Sequence, residues 1–236
     1  MDSVTDPTRP TANPLSVFDA VAGRRSVRAF TAAPVPRETV ERILDLAARA
    51  PSGSNIQPWK VYAVAGAARA ALSAELLADH EAGVPEEPEY AYYPESWKEP
   101  YLARRRKVGW DLYGALGIAK GDRERMARQH GRNWDLFGAP VGLFFTIDRV
   151  MGKGGWLDLG MFMQNVMIVA RGFGLETCPQ AAFCYRHAIV RRHLALPDTE
   201  ILACGMALGH ADWSAPENNF ATEREPAGGF TRFVGF

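Results

Sequence analysis

No sign of charge dominates this chain: Lys plus Arg and Asp plus Glu both number 27, so the formal net charge is zero. That balance gives no general pull toward nucleic acid or an anionic membrane, and neither is expected as a partner. Cysteine is scarce. Cys178, Cys184 and Cys204 make an odd count without Cys-x-x-Cys spacing, which predicts free buried thiols in a reducing, cytoplasmic setting. No apolar run approaches the roughly 20 residues that cross a bilayer. The opening, Met1 to Asn13, carries Asp2 and Asp6 and lacks the apolar centre of a signal peptide. There is no Gly-x-Gly-x-x-Gly fingerprint, no Walker-type loop and no Gly-x-Ser-x-Gly elbow. His80, His130, His187, His193 and His210 show no paired ligand spacing, so no metal centre is expected.

What is present is ordinary globular usage, 47% hydrophobic and 23% charged over 236 residues, enough for one sizeable core. Residues 1–12 read as a flexible tail and 13–236 as a single domain. Asn13-Pro14 resembles a helix start, Leu15, Phe18, Val21 and Ala22 recur at helical spacing, and Gly23 suits the closing cap. A second amphipathic helix covers Glu38 to Ala50, with Val40, Ile43, Leu44 and Ala47 on its apolar side. Lys60 to Ala65 reads as a strand and Ala67 to Asp79 as a helix. Val141 to Ile147 and Ile201 to Leu208 are continuous apolar runs, hence strands covered on both faces. Trp156 to Phe173 is apolar nearly all round, which predicts a buried central helix whose Asp158, Gln164 and Asn165 need polar partners. A short β-like stretch should end at Pro179, with a helix over Arg186 to Leu194. Residues 80–138 are rich in proline and aromatics and read as a helical insertion over a site. Residues 211–236 form a C-terminal arm tipped with Phe230, Phe233 and Phe236.

Three stretches look unlike plain scaffolding. Arg24-Arg25-Ser26-Val27-Arg28 sets guanidinium forks, which suit a phosphate, beside a hydroxyl. On its own it reads first as a solvated surface patch. Pro51-Ser52-Gly53-Ser54-Asn55-Ile56-Gln57-Pro58-Trp59 is loop chemistry leading into a strand, and its bland reading is a polar turn. Glu176-Thr177-Cys178-Pro179-Gln180-Ala181-Ala182-Phe183 places small residues after the central helix, as a close-packed junction also would.

Taken together, at this separation, these motifs resemble the FMN-dependent nitroreductase family from about Pro14 to Gly209, and its nitrobenzoate and nitroaromatic reductase branch in particular. The resemblance implies an α+β fold with a central, mostly antiparallel sheet flanked by helices. It implies a homodimer with shared active sites, FMN as cofactor and NAD(P)H as electron donor. Arg24, Arg25, Ser26 and Arg28 stand where the family binds phosphate, ribityl chain and the N1/C2=O edge of the ring, a position where a cation favours the reduced, anionic flavin. Pro51, Ser52, Ser54 and Asn55 match the segment that reaches the flavin of the other subunit. Pro179, Gln180, Ala181 and Ala182 match the wall beside flavin N5, and Arg224 resembles a further phosphate-binding arginine. The family's mid-chain residue on the pyrimidine edge has no counterpart that can be placed here.

The implied activity is ping-pong hydride transfer from NAD(P)H to a nitroaromatic or quinone-like acceptor, with no side chain acting as a catalytic acid or base. Other outcomes on this fold are reductive dehalogenation, dehydrogenation and enone reduction; a non-enzymatic flavin-binding protein is the remaining alternative. Tyr101, Trp110, Tyr113, Trp134 and Phe137 are the aromatics of the insertion that could face a substrate.

Overall fold

The computed structural model describes residues 15–236. The expected tail and the Asn13-Pro14 helix start lie outside them. Helix α1 (Val17–Gly23) starts instead at Ser16, whose hydroxyl accepts the Asp19 N–H at 3.1 Å. Helix α2 (Arg37–Ala47) buries Thr39, Val40, Ile43 and Ala47, one stripe at helical spacing. Then come β1 (Trp59–Ala65), α3 (Gly66–Glu81), α4 (Tyr101–Ala115) and α5 (Arg123–Gly131). The second half holds β2 (Val141–Asp148), α6 (Lys153–Gly172), β3 (Glu176–Gln180), α7 (His187–Leu194), β4 (Glu200–Gly209) and the short α8 (Ala227–Phe230). No described helix is long and apolar enough to cross a membrane.

The strands form one sheet in the order β1-β2-β4-β3, every neighbouring pair antiparallel. The period of two along β2 explains its continuous apolar run. Leu143, Phe145 and Ile147 pack with Ile43 and Phe162 toward α2 and α6, whereas Phe144 points the other way, into a cluster with Leu72, Leu76, Trp134 and Phe183. Both faces are covered, so neither is polar.

Helix α6 departs from the expectation of burial all round. Leu159, Phe162 and Val166 are buried, but Leu157 is 71% exposed and Met161 and Gln164 are also open. Asp158 and Asn165 do find partners: Asp158 accepts the Gly53 N–H at 3.1 Å, and Asn165 donates to Ala47 O at 3.2 Å. These bonds fasten the loop after α2 to α6. Glu200, 2% exposed at the start of β4, takes donors from Lys60, Tyr62 and Thr146 and ties the two outer ends of β1 and β2 to β4. Glu89 fixes the segment before α4 in the same manner, accepting from Arg149, Arg191 and the Leu202 N–H.

Candidate functional site

The segment from Arg24 to Phe30 runs as an added edge between β3 and the chain after β4. Helix α1 ends against Arg171 of α6, which donates to Asp19 O and Ala20 O at 2.8 Å and pairs with Glu176 at 3.0 Å. Gly23 is not left-handed; it lies close under the Arg171 guanidinium, where a Cβ would stand 2.6 Å from Nη1 and the side-chain end would have to shift. Burial raises the pKa of Glu176, opposed by Arg171.

Beyond Arg24 the backbone is extended. Ser26 bridges Thr177 in parallel, and the Val27 N–H donates to Thr177 O at 3.1 Å. On the other edge, Asn218 clasps the backbone: its Oδ1 accepts the Arg28 N–H at 2.7 Å, and its Nδ2 donates to Ala29 O and Asp212 O at 2.8 Å. Strand alternation buries Val27 completely and turns Ser26 and Arg28 outward, onto open space.

Two chambers lie along this segment. The first, about 630 Å³, is lined by Arg25, Ser26, Arg28, Arg104, Lys107, Arg224 and several acids. Arg104 pairs with Glu225 at 2.6 Å and Lys107 with Asp111 at 2.7 Å. Glu217 pairs with Arg132. Arg25, Arg28 and Arg224 make no ion pair among the described residues, so their charge stays available to an anion. Arg25 instead lies 5.6 Å over the Trp213 ring and reaches Asn218 O.

The second chamber, about 490 Å³, begins where the first ends, because Arg28 lines both. Its floor is Cys178, Pro179, Gln180, Ala181 and Ala182, the end of β3 and the turn after it; Tyr93, Tyr113, Phe137 and Tyr185 add aromatic walls. Gln180 is 3% exposed and donates to Asn133, while its Oε1 has no partner, an acceptor left for a ligand N–H. Phe183 pins the turn from below: it packs so tightly on β4 that a Cβ at Gly205 would stand 2.3 Å from its ring. Burial pushes the Cys178 thiol up to about 11, against the nearby Arg28, which removes it as a nucleophile near neutral pH.

The structure thus brings Arg25, Ser26, Arg28 and Arg224 to one chamber and Arg28, Pro179, Gln180, Ala181 and Ala182 to the other. Arg24 lines neither. It is half-buried, its pKa lowered by desolvation and by Arg224, with Glu176 opposing. Pro51, Ser52, Ser54 and Asn55 also line neither chamber. They sit in a largely exposed loop, in which Ser54, Asn55 and Gln57 hold positive φ of 50°, 57° and 48°. That conformation is fixed by Gly53 on Asp158 and by the Gln57 N–H on Ser52 Oγ at 3.0 Å.

Of the candidate aromatics, Tyr113 and Phe137 face the second chamber. Trp134 is core, and Tyr101 and Trp110 are exposed and line neither space. Sequence reasoning missed Asn218, Arg104, Lys107, Tyr93 and Arg105. Arg104-Arg105-Arg106-Lys107 is a basic run in the sequence, but only the placement of α4 beside Arg28 gives it a role.

The donor set fits a ligand with a phosphate at one end and a flat polar ring at the other: unpaired guanidinium groups in one chamber, small residues and an unpaired acceptor in the next.

Comparison with known proteins agrees with this arrangement. The model of the nitroreductase family matches residues 21–210. The chain is 44% identical to a 4-nitrobenzoate reductase of Pseudomonas putida, covering 93% of this chain and 96% of that protein. It is 39% identical to a nitrobenzene nitroreductase of Ectopseudomonas oleovorans, covering 94% and 99%. Its structure superposes on the FMN and NADPH-dependent nitroreductase NfnB from Sphigopyxis sp. strain HMH with a TM-score of 0.91, at 41% identity over 94% of this chain and all of that one. The α+β chain with its antiparallel sheet and paired chambers belongs to the nitroreductase family.

Proposed function

We propose that this chain is an FMN-dependent oxidoreductase that uses NAD(P)H to reduce nitroaromatic or quinone-like acceptors. The observation that carries this reading is Arg28, the residue shared by an anion-binding chamber and a flat, small-walled one. Arg25, Ser26, Arg28 and Arg224 would hold the phosphate and ribityl chain, with Arg24 supporting them from behind. Pro179, Gln180, Ala181 and Ala182 would lie along the ring, and Gln180 Oε1 would accept one of its N–H groups. FMN held there would supply the redox chemistry of a ping-pong exchange between NAD(P)H and the acceptor. The chain's part is to position donor and acceptor in turn, keep the ring face open through Ala181 and Ala182, and hold a positive charge at Arg28 where negative charge develops.

The site is completed by a second copy. Val17, Phe18 and Val21 on α1, Ile56 in the loop and Leu157 and Met161 on α6 are all exposed. Helix α1 is bound to α6 through Arg171, and the loop through Asp158 beside Leu157, so these exposed side chains are all carried on or around one helix. An apolar face of this extent suits a homodimer. The rigid Pro51–Asn55 loop would then enter the partner's chamber, and the arm from residue 211 onward would lie on the partner. Residues 80–138 serve as the cover, since α4 lines both chambers. Three buried free thiols suit a reducing cytoplasm.

The experiment is anaerobic titration of the FMN-loaded protein. NADPH should bleach the flavin band and a nitroaromatic should restore it. A flavin band that NADPH leaves unchanged, with NADH equally without effect, would contradict the oxidoreductase reading.

A further inference from the structure

Arg105 has no part in the cofactor contacts above, yet it lines the ring chamber together with Pro179 to Ala182. Its neighbours on α4, Arg104 and Lys107, are neutralised by Glu225 and Asp111. Arg105 makes no ion pair among the described residues. Its guanidinium lies over two rings, 5.9 Å from the Tyr93 centroid and 5.0 Å from that of Trp97. Rings at this distance hold the cation electrostatically without supplying a hydrogen-bond acceptor, and no acceptor among the described residues takes the Arg105 N–H groups, which leaves its fork free to donate.

The bracket that holds it is itself anchored. Tyr93 meets Tyr92 edge-on at 4.7 Å and Trp97 at 5.3 Å. Tyr92 adjoins Tyr90, whose ring packs at 4.8 Å on Trp156 and whose hydroxyl donates to Ala203 O of β4 at 2.6 Å. A chain of rings therefore runs from the central sheet to this one cation. The rest of the chamber offers Tyr113, Phe137 and Tyr185 to a flat ring, with Glu86 its one carboxylate.

We propose that Arg105 is a specificity residue that selects aromatic substrates bearing a carboxylate, by donating to that group from its ring-held fork. The inference rests on the flavin reading of the Pro179–Ala182 wall, which places the reacting ring in this chamber. A neutral nitroaromatic uses the aromatic walls alone. A benzoate-type anion gains a charge-assisted bond as well. Glu86 works against the anion, and the fixed bracket keeps Arg105 from turning to it.

The test uses the FMN-loaded protein and the variants Arg105→Met, Arg105→Lys and Glu86→Gln. Calorimetric titration with benzoate, and with benzamide as its neutral analogue, reads binding without turnover; kcat/KM is measured for 4-nitrobenzoate and for nitrobenzene. Arg105→Met should weaken benzoate and lower kcat/KM for 4-nitrobenzoate by about tenfold or more, as loss of a hydrogen bond to a charged group does. Benzamide and nitrobenzene should be unaffected, Arg105→Lys should recover part of the loss, and Glu86→Gln should tighten benzoate. Equal losses for both substrates, or a rise confined to the KM for NADPH, would overturn the proposal and assign Arg105 to the fold or to the donor's phosphates. Should the wild type bind benzoate through Arg105 yet turn over no nitroaromatic, the anion site stands and the catalytic reading falls.

Discussion

At the scale of single residues, Asn218 shows how the site is held by groups that carry none of its chemistry. Its amide satisfies the Arg28 N–H and the Ala29 and Asp212 carbonyls and is itself 1% exposed. Removing it strands buried polar groups, which costs more than the bonds were worth in water. Asn218→Ala should lower stability by about 1–3 kcal/mol and weaken FMN binding together with it, read by urea unfolding and flavin fluorescence. Unchanged FMN affinity would show that Arg28 is positioned by β3 alone. Asn218 was not legible in the sequence because a buried amide in a Pro- and Asn-rich arm follows no periodicity. The Arg-Arg-Ser run was legible as a motif. Which of its arginines points where was not, since that depends on strand alternation against Thr177, a partner about 150 residues away in the chain.

Among the elements, the continuous runs of β2 and β4 and the apolar stripe of α2 announced themselves through period two and period 3.6. Helix α6 misled because its exposed side also carries large apolar side chains, Leu157 and Met161. The pattern cannot tell a face covered by the same chain from one left open for another chain. Helix α4 was legible only as part of a helical insertion, because its apolar positions are spread around the axis and none of them is buried. The sheet also sets a pH dependence. Burial of Glu200 opposes its charge, but hydrogen bonds from Lys60, Thr146 and Tyr62 outweigh it and hold the carboxyl below its ordinary 4.5. A depressed carboxylate stabilises the fold above its unfolded pKa and loses that contribution as pH falls through the folded one. Urea unfolding from pH 7 down to about 3 should therefore show a decline below the ordinary glutamate range that is shallower in Glu200→Gln. Parallel profiles would assign acid sensitivity elsewhere, Glu89 first, whose pKa is lowered in the same way.

For the whole molecule, the account requires two chains per site pair. In the proposed homodimer one chain would contribute Arg28 and its two chambers, and the other the Ser54–Asn55 loop with its positive φ. Subunits carrying Arg28→Ala and subunits carrying an Asn55→Ala, Ser54→Ala pair should each lose activity. A mixed dimer would hold one site with both defects and one with neither, so coexpression should restore activity. No recovery in a purified heterodimer would mean that each chain builds its site alone.

The central claim is that Arg28 joins a phosphate chamber to a flavin-ring chamber. The most direct measurement is FMN retention: purified protein is incubated with FMN, desalted and read for flavin absorbance, wild type beside Ser26→Ala with Arg28→Ala. The account predicts a yellow wild type carrying an equimolar amount of FMN per chain, and a folded double variant that binds it at least about tenfold more weakly, the effect of losing a hydrogen bond to a charged group. A wild type that stays colourless, or a double variant that retains FMN equally well, would contradict it.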